Sequence, residues 1–536
     1  MAVPPTPASE STSTNDLKSI LSAVSRIGEV QDPANGKLPD DADQQIRGLN
    51  MIKVFTTLSP ATQGDAQDAK KPNLRKLIQD KIDELDRTIA TGINDVLHNE
   101  EFQALEATWR GLSYLVQNTE TSTRLKLRVL DVSKKELASD LENAVDFDQS
   151  ALFKKVYEEE YGTLGGKPYG CLVGDFSFDR STPSIKLLKN IASVAAAAHA
   201  PFIAQAAPAL FDLDGFEDLP KPRDLSKIFE SAEMAEWTAF RESEDSRYVA
   251  LTLPRVLLRL PYDPVQNPVE GLTFKEKMGD LTKADNTVLD LTAAPDSTQP
   301  PVDPNTLRLV PTTGNYLWGN PAFILAQRIT NAFALYSWTA AIRGVEGGGK
   351  VEDLPLHKFK SINGDKAMII PTEVAITDRR EKELSDQGFM ALVYCKDTNY
   401  AAFFGSQTVN KPKKYNLSSA NSNAELSARL PYILNTSRFA HYIKVMMRNR
   451  IGSFMTKENV QSYLTTWISD YVLDKDDAGQ DLKAKYPLRE ARIDVVDVPG
   501  QPGAYSATVF LRPHFQLEGL TASLRLVAEL PAAAAA

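Results

Sequence analysis

Two stretches decide the architecture: Gly170–Phe178, GCLVGDFSF, and Ile185–Ala198, IKLLKNIASVAAAA. The first is a short, apolar and aromatic run and predicts a strand. The second repeats apolar residues at helical spacing and predicts a helix. Tyr248–Leu253, YVALTL, predicts another strand. Strand, helix and strand in alternation predict an α/β fold, with mixed sheets flanked by helices.

Upstream, a helix is expected from about Leu74, with Ile78, Ile82, Leu85, Ile89 and Ile93 as its stripe. A second is expected over about 100–118, containing Trp109 and Leu112. Arg124–Val132 alternates Leu125, Leu127 and Val129 against Lys126 and Arg128, which predicts a strand. Ser133 and Glu136 have the spacing of a capping box and open a helix.

Downstream, Pro300, Pro301, Pro304 and Pro311 stand among Asp, Thr and Asn. Residues 264–315 therefore read as a mobile surface insertion. Pro321–Arg343 is apolar on most sides and predicts a buried helix. Thr377 caps a charged helix ending at Gly388, and Tyr432–Met447 and Glu458–Val472 are expected to be helical. Ala491–Val498, Tyr505–Leu511 and Thr521–Leu530 are expected strands, the first two joined as a hairpin across Pro499–Gly503. The expected division is a mobile arm (1–73) with an amphipathic helix at 15–28, an α/β domain (74–345), and a C-terminal domain (346–536).

The chain has 536 residues, too many for one ordinary core, which again predicts several domains. Its net charge of -10 argues against nucleic acid as a partner, since phosphate binding needs a basic footprint. Two cysteines, Cys171 and Cys395, suit a reducing compartment. The N-terminus lacks the pattern of a secretory signal. The most apolar stretch, Asn190–Phe211, carries His199, Gln205, Pro201 and Pro208 and reads as a buried helix followed by an extended segment. The expectation is a cytoplasmic protein without membrane insertion.

Residues in patterns that could carry chemistry are few. Gly344–Val351, GVEGGGKV, fits G-x-x-x-x-G-K but has Val351 where a nucleotide loop needs a magnesium-binding hydroxyl. It also follows a helix instead of a strand. His98, His199, His357, His441 and His514 form no H-x-x-x-H pair, and neither cysteine lies in C-x-x-C. Asp175, Ser177 and Asp179 in GDFSFD lack the context of a nucleophile elbow or a calcium loop. No catalytic, cofactor or metal site is expected. Arg241, Glu242, Glu244, Asp245 and Arg247, in RESEDSR, are candidates for ion pairs at a subunit contact.

Several separated blocks resemble one family. They include WRGLSYLVQNTE (Trp109–Glu120), FKKVYEEEYGTLGGKPYGCLVGD (Phe153–Asp175) and RESEDSRYVALTLPRVLLRLPY (Arg241–Tyr262). PTEVAITDRRE (Pro371–Glu381), RFAHYIK (Arg438–Lys444) and LRPHFQLEGLTASLRLV (Leu511–Val527) continue the series in order. Together they look like the large sheath subunit of type VI secretion systems, the TssC/VipB family. The resemblance implies a structural protein that pairs with a small sheath subunit, TssB or VipA. It implies further contacts with neighbouring sheath protomers, the inner Hcp tube, a baseplate and the AAA+ ATPase ClpV. It also implies an ATPase-recognition helix, for which Leu17, Ile20, Leu21, Val24 and Ile27 form the matching stripe. It implies strand exchange between subunits, with Leu524, Leu526, Ala528 and Leu530 in the candidate strand. On this reading 264–315 and the alanine tail are departures from the family. The competing readings are a phage-like tail sheath and a nucleotide-binding protein using Gly344–Lys350.

Overall fold

The computed structural model describes residues 74–282, 288–289, 308–453, 455–475, 477–499, 504–514 and 516. They divide into two units. One comprises 74–96 and Tyr262–Glu276, and the other the remainder.

The described part of the first unit is mostly helix α1 (Leu74–Leu97). Its stripe has the expected spacing, yet Ile82, Leu85 and Ile89 are 40–48% exposed. The segment Tyr262–Glu276 closes on itself. The Glu276 carboxylate accepts from the Tyr262 N–H at 2.9 Å, and the Glu276 N–H returns a bond to the Tyr262 carbonyl.

The second unit is built on a six-stranded sheet. Strands β1 (Leu172–Phe178), β2 (Phe202–Ala206) and β3 (Val249–Leu253) run parallel. The next neighbour of β3 is β5 (Phe389–Tyr394), also parallel, with Phe389 opposite Leu251. Antiparallel β6 (Ala401–Phe403) and the short β4 (Lys350–Val351) finish the sheet. One sheet therefore takes strands from both sides of the expected division at 345/346.

The central strands are buried on both faces, so their sequences read as continuous apolar runs. Strand geometry nevertheless sorts them with a period of two. Phe202, Ala204, Val249, Leu251, Phe389 and Ala391 face a core that includes helix α4 (Thr182–Ala197). Ile203, Ala250, Met390 and Leu392 face a second core with helix α6 (Ala322–Tyr336). The first core centres on Phe389, which stacks on Trp237 at 5.9 Å and meets Phe211 at 4.7 Å between ring centroids.

Helices α2 (Glu100–Gln117) and α3 (Lys134–Asn143) precede the sheet. The capping box is present: the Ser133 hydroxyl accepts from the Glu136 N–H, and the Glu136 carboxylate accepts from the Ser133 N–H at 2.9 Å. Helix α5 (Ala235–Arg241) leads toward β3, and α7 (Asp378–Asp386) starts at the expected Thr377 cap.

Four expectations are corrected. Arg124–Val132 is not a strand: it belongs to no β-ladder among the described residues. Alternation records which side chains turn inward, not whether a neighbour supplies hydrogen bonds. The helix expected to reach Arg343 stops at Tyr336, where Ser337 takes φ +61° and redirects the chain. The segment 264–315 is not wholly an irregular insertion. Gly279–Thr282 pairs with Val288–Leu289 and with Arg308–Pro311. Met278, Leu281, Leu309, Tyr316 and Trp318 bury themselves with Leu257, apolar contacts that the surrounding Pro, Asp and Thr obscure in sequence. The division at 345/346 is the fourth, since β3 and β5 pair across it.

Helix α8 (Leu430–Arg448) joins two cores: Leu430 and Leu434 lie in the second, Phe439 in a third. That third core gathers Trp338, helix α9 (Lys457–Ser469) and a hairpin of β7 (Leu488–Asp497) and β8 (Tyr505–Pro513). The hairpin pairs from Leu488↔Pro513 to Asp497↔Tyr505, as its sequence predicts.

Candidate functional site

The glycine-rich turn is the first place to look for chemistry. The Gly344 N–H donates to the Phe403 carbonyl at 2.7 Å, and the Gly349 N–H to the Gly344 carbonyl at 2.9 Å. Phe403 returns a bond from its own N–H to Gly349. A phosphate loop leaves such N–H groups free to cradle the anion; here they tie the turn to β6. A Cβ on Gly348 would meet the Ala341 carbonyl oxygen at 2.2 Å, and its φ is +91°. Close backbone approach therefore explains this glycine. Lys350 pairs with Glu352 and lies 4.6 Å from the Tyr400 ring centroid, and strand β4 follows the turn where a nucleotide loop opens a helix. The arrangement is that of a structural turn.

The GDFSFD run is likewise used internally. The Asp175 carboxylate accepts from the Thr108 hydroxyl and the Asn320 amide. The Ser177 carbonyl accepts from Lys134 Nζ at 2.6 Å, and the Asp179 carboxylate accepts from the Ser181 N–H at 2.9 Å. Burial pushes the Cys171 thiol up to about 12, so it holds no appreciable thiolate at neutral pH. Among the described residues no group of three His, Cys, Asp or Glu side chains could hold a metal ion. No described helix is long and apolar enough to cross a membrane.

The structure brings together two histidines that are far apart in sequence. His199 and His441 lie 6.3 Å apart between ring centroids, beside Tyr161, Tyr248 and Lys444. His199 Nδ1 meets the Tyr248 hydroxyl at 3.0 Å, and His441 Nε2 the Ala198 carbonyl at 2.9 Å. Burial lowers the pKa of His199 and pushes His441 down to about 4, so both rings are neutral at pH 7. His357 Nδ1 is bonded to the Tyr316 hydroxyl.

The charged run is partly an internal brace. Arg241 is only 6% exposed. Its guanidinium donates to the Val409 carbonyl at 3.0 Å, the Gln387 side chain at 2.9 Å and the Asp386 carbonyl at 3.2 Å. Asn410 bonds the Arg241 and Ser243 carbonyls and the Ser246 hydroxyl. The expectation of a subunit-contact ion pair is thus corrected for Arg241: a guanidinium enclosed by its own chain cannot reach a neighbour. Glu242 pairs with Lys411 at 3.2 Å, Glu244 with Lys413 at 3.6 Å and Arg247 at 3.9 Å, and Asp245 accepts from the Ser193 hydroxyl.

The terminal hairpin is the most suggestive assembly feature. Among the described residues β7 and β8 form a sheet of two, joined at its base by a single bridge from Val472 to Leu488. One face packs on Val460, Leu464 and Ile468 of α9. Val496 and Phe510 are about half exposed. A sheet of two strands with open edges can accept further strands from other chains. The candidate residues Leu17, Ile20, Leu21, Val24, Ile27, Leu524, Leu526, Ala528 and Leu530 lie outside the described residues.

Residues 79–294 and 309–410 match the family model described as the EvpB/VC_A0108 tail sheath N-terminal domain. Residues 419–530 match the EvpB/VC_A0108 tail sheath gpW/gp25-like domain. The chain belongs to the VipB/TssC family of sheath proteins. It is 47% identical over 462 residues to the type VI secretion system sheath protein TssC1 of Pseudomonas aeruginosa, covering 85% of this chain and 86% of that one. It is a homologue of the TssC large sheath subunit. Only 295–308 falls between the two parts of the N-terminal match, so most of 264–315 belongs to the family pattern, contrary to expectation. Solved structures of lower similarity include the anti-feeding prophage baseplate (TM-score 0.32, 11% identity, 65% of this chain and 67% of that chain). Another is the contracted PVC sheath complex of an extracellular contractile injection system (TM-score 0.32, 9% identity, 62% and 68%).

Proposed function

We propose that this VipB/TssC chain is the large, non-catalytic subunit of a cytoplasmic type VI secretion sheath. It pairs with a small sheath subunit of the TssB/VipA kind. The pairs stack with neighbouring protomers around a tube of Hcp rings, on a baseplate, and contraction propels the tube. A ClpV-type ATPase then dismantles the contracted array. The observation that carries this reading is the sustained identity to a type VI secretion sheath protein along most of both chains.

The hairpin, a sheet of two strands among the described residues, supports strand exchange as the link between protomers, with Thr521–Leu530 as the exchanged strand. Main-chain ladders hold two chains together whatever their side chains, and stay paired while the bodies they join rotate. The amphipathic stripe Leu17–Ile27 suits capture in a groove of the ATPase. Neither role needs bond-making by this chain, and the committed N–H groups of the glycine turn support its lack of nucleotide chemistry. The test is assembly of the purified large and small subunits with nucleotide removed. Sheath-like filaments are expected; filaments that form only with ATP or GTP would overturn the non-catalytic reading.

A further inference from the structure

The expected strand that found no ladder borders a cleft of about 410 Å³. Residues 123–128 line it together with residues 167–171 and Val173. Leu115, Leu127, Ile329, Phe333 and Leu434 also line it, and Leu127 packs on the cluster of Leu115, Phe323 and Ala326. Two observations bear on what belongs there. The backbone of 126–132 has no regular secondary structure and makes no hydrogen bond among the described residues, and β1, which begins at the cleft, is an edge strand of its sheet. Unpaired backbone beside an apolar trough suits an added strand.

The second observation is charge. Arg124, Lys126, Arg128, Lys167 and Arg438 all line the cleft. Only Arg128 has a carboxylate partner among the described residues, Glu160. Arg438 is stacked over Phe333 at 4.6 Å and Trp338 at 4.8 Å. Lys126 stands directly beside Lys167, which pushes its pKa below the usual lysine range. The Glu160 carboxylate, which pairs with Arg128 and accepts from the Lys167 N–H, is the one acidic group beside these cations among the described residues, and carboxylates from another chain would relieve the remaining like-charge repulsion.

We infer that this cleft seats an extended, acidic, amphipathic segment of the small sheath subunit, which adds its backbone to residues 126–132 and its carboxylates to the cationic rim. The inference rests on the two-chain sheath reading. This chain's own segments fit less well. Thr521–Leu530 carries one Arg and one Glu and has no net charge to offer the rim. The acidic stretch Glu29–Asp43 has Pro33 and Pro39 and lacks apolar alternation.

The test uses the full chain co-expressed with its small subunit. Leu127→p-benzoylphenylalanine is irradiated in the purified complex and the cross-linked peptide is identified. Lys126→Glu with Lys167→Glu is measured for small-subunit affinity, with its melting curve as the folding control. The expected results are a cross-link to an Asp- or Glu-rich small-subunit peptide, and affinity reduced about tenfold or more by charge reversal with melting unchanged. A cross-link to a second copy of this chain, or to its own termini, would overturn the inference. So would a complex that forms normally yet yields no cross-link and ignores charge reversal, which would leave the sheath reading standing. Failure of the unmodified chain to bind the small subunit would overturn both.

Discussion

Trp338 and Phe439 stack with ring centroids 4.6 Å apart and planes 27° from parallel. Trp338 follows the left-handed residue that ends α6, and Phe439 lies midway along α8. Their contact fastens the helices of the central sheet to the core of the terminal hairpin. Phe439 is 1% exposed and also meets Trp467 and Tyr471. Phe439→Ala is expected to cost about 3–5 kcal/mol, because the cavity it leaves cannot collapse around several fixed rings. Limited proteolysis should then release the segment after α8 first; cleavage distributed evenly over the chain would contradict the joint.

Arg241 offers a second measurement. Three acceptors from residues 386–409 surround its fork, and none is a carboxylate. Arg241→Ala leaves the buried Val409 carbonyl and two half-buried acceptors unpaired and is expected to cost about 2–3 kcal/mol in chemical denaturation. Arg241→Lys should restore less than half, since an ammonium cannot reproduce the planar fork. A change below about 0.5 kcal/mol for Arg241→Ala would show that the brace contributes little.

His441 sets a pH dependence. Burial holds its folded pKa near 4, below the ordinary 6.5. As pH falls from about 6.5 to 4, the unfolded chain takes up a proton that the native ring refuses. Stability is therefore intact above about 6.5 and falls by up to about 3 kcal/mol toward pH 4 from this group. His441→Gln keeps a bond to the Ala198 carbonyl within reach and should flatten that part of the profile. Identical profiles for both proteins would contradict the assignment.

The amphipathic stripe near the N-terminus is tested by Leu21→Asp with Val24→Asp. Binding to the ATPase is expected to fall at least about tenfold, since two charges replace the apolar face that a groove would take. Binding to the small subunit should not change. Unaltered ATPase binding would remove the stripe from the account.

Strands β1 and β3, the Ser133–Glu136 box, the Thr377 cap and the terminal hairpin were legible because each depends on residues close together in sequence, whereas β5 (Phe389–Tyr394) was not anticipated. Val351 alone already argued against a nucleotide loop. What was not legible depends on distant partners. RESEDSR looks like a solvated charge run until Gln387 and Val409 close over Arg241. His199 and His441 meet only because α8 crosses beneath the turn that carries His199. Leu125, Leu127 and Val129 alternate as a strand does, but pairing needs a neighbour that sequence periodicity cannot supply. Apolar residues of 264–315 were hidden among prolines and acids, and only their pairing with Leu257 and Trp318 marks them as core.

The most direct test of the central claim, that this chain works by polymerising through strands passed between subunits, is electron microscopy of the chain co-expressed with its small subunit, full-length and lacking residues 520–536. The account predicts long helical tubes from the full-length pair, and from the truncated pair a soluble two-chain complex without tubes. Tubes of equal length from both, or a full-length chain that stays single beside the small subunit, would contradict it.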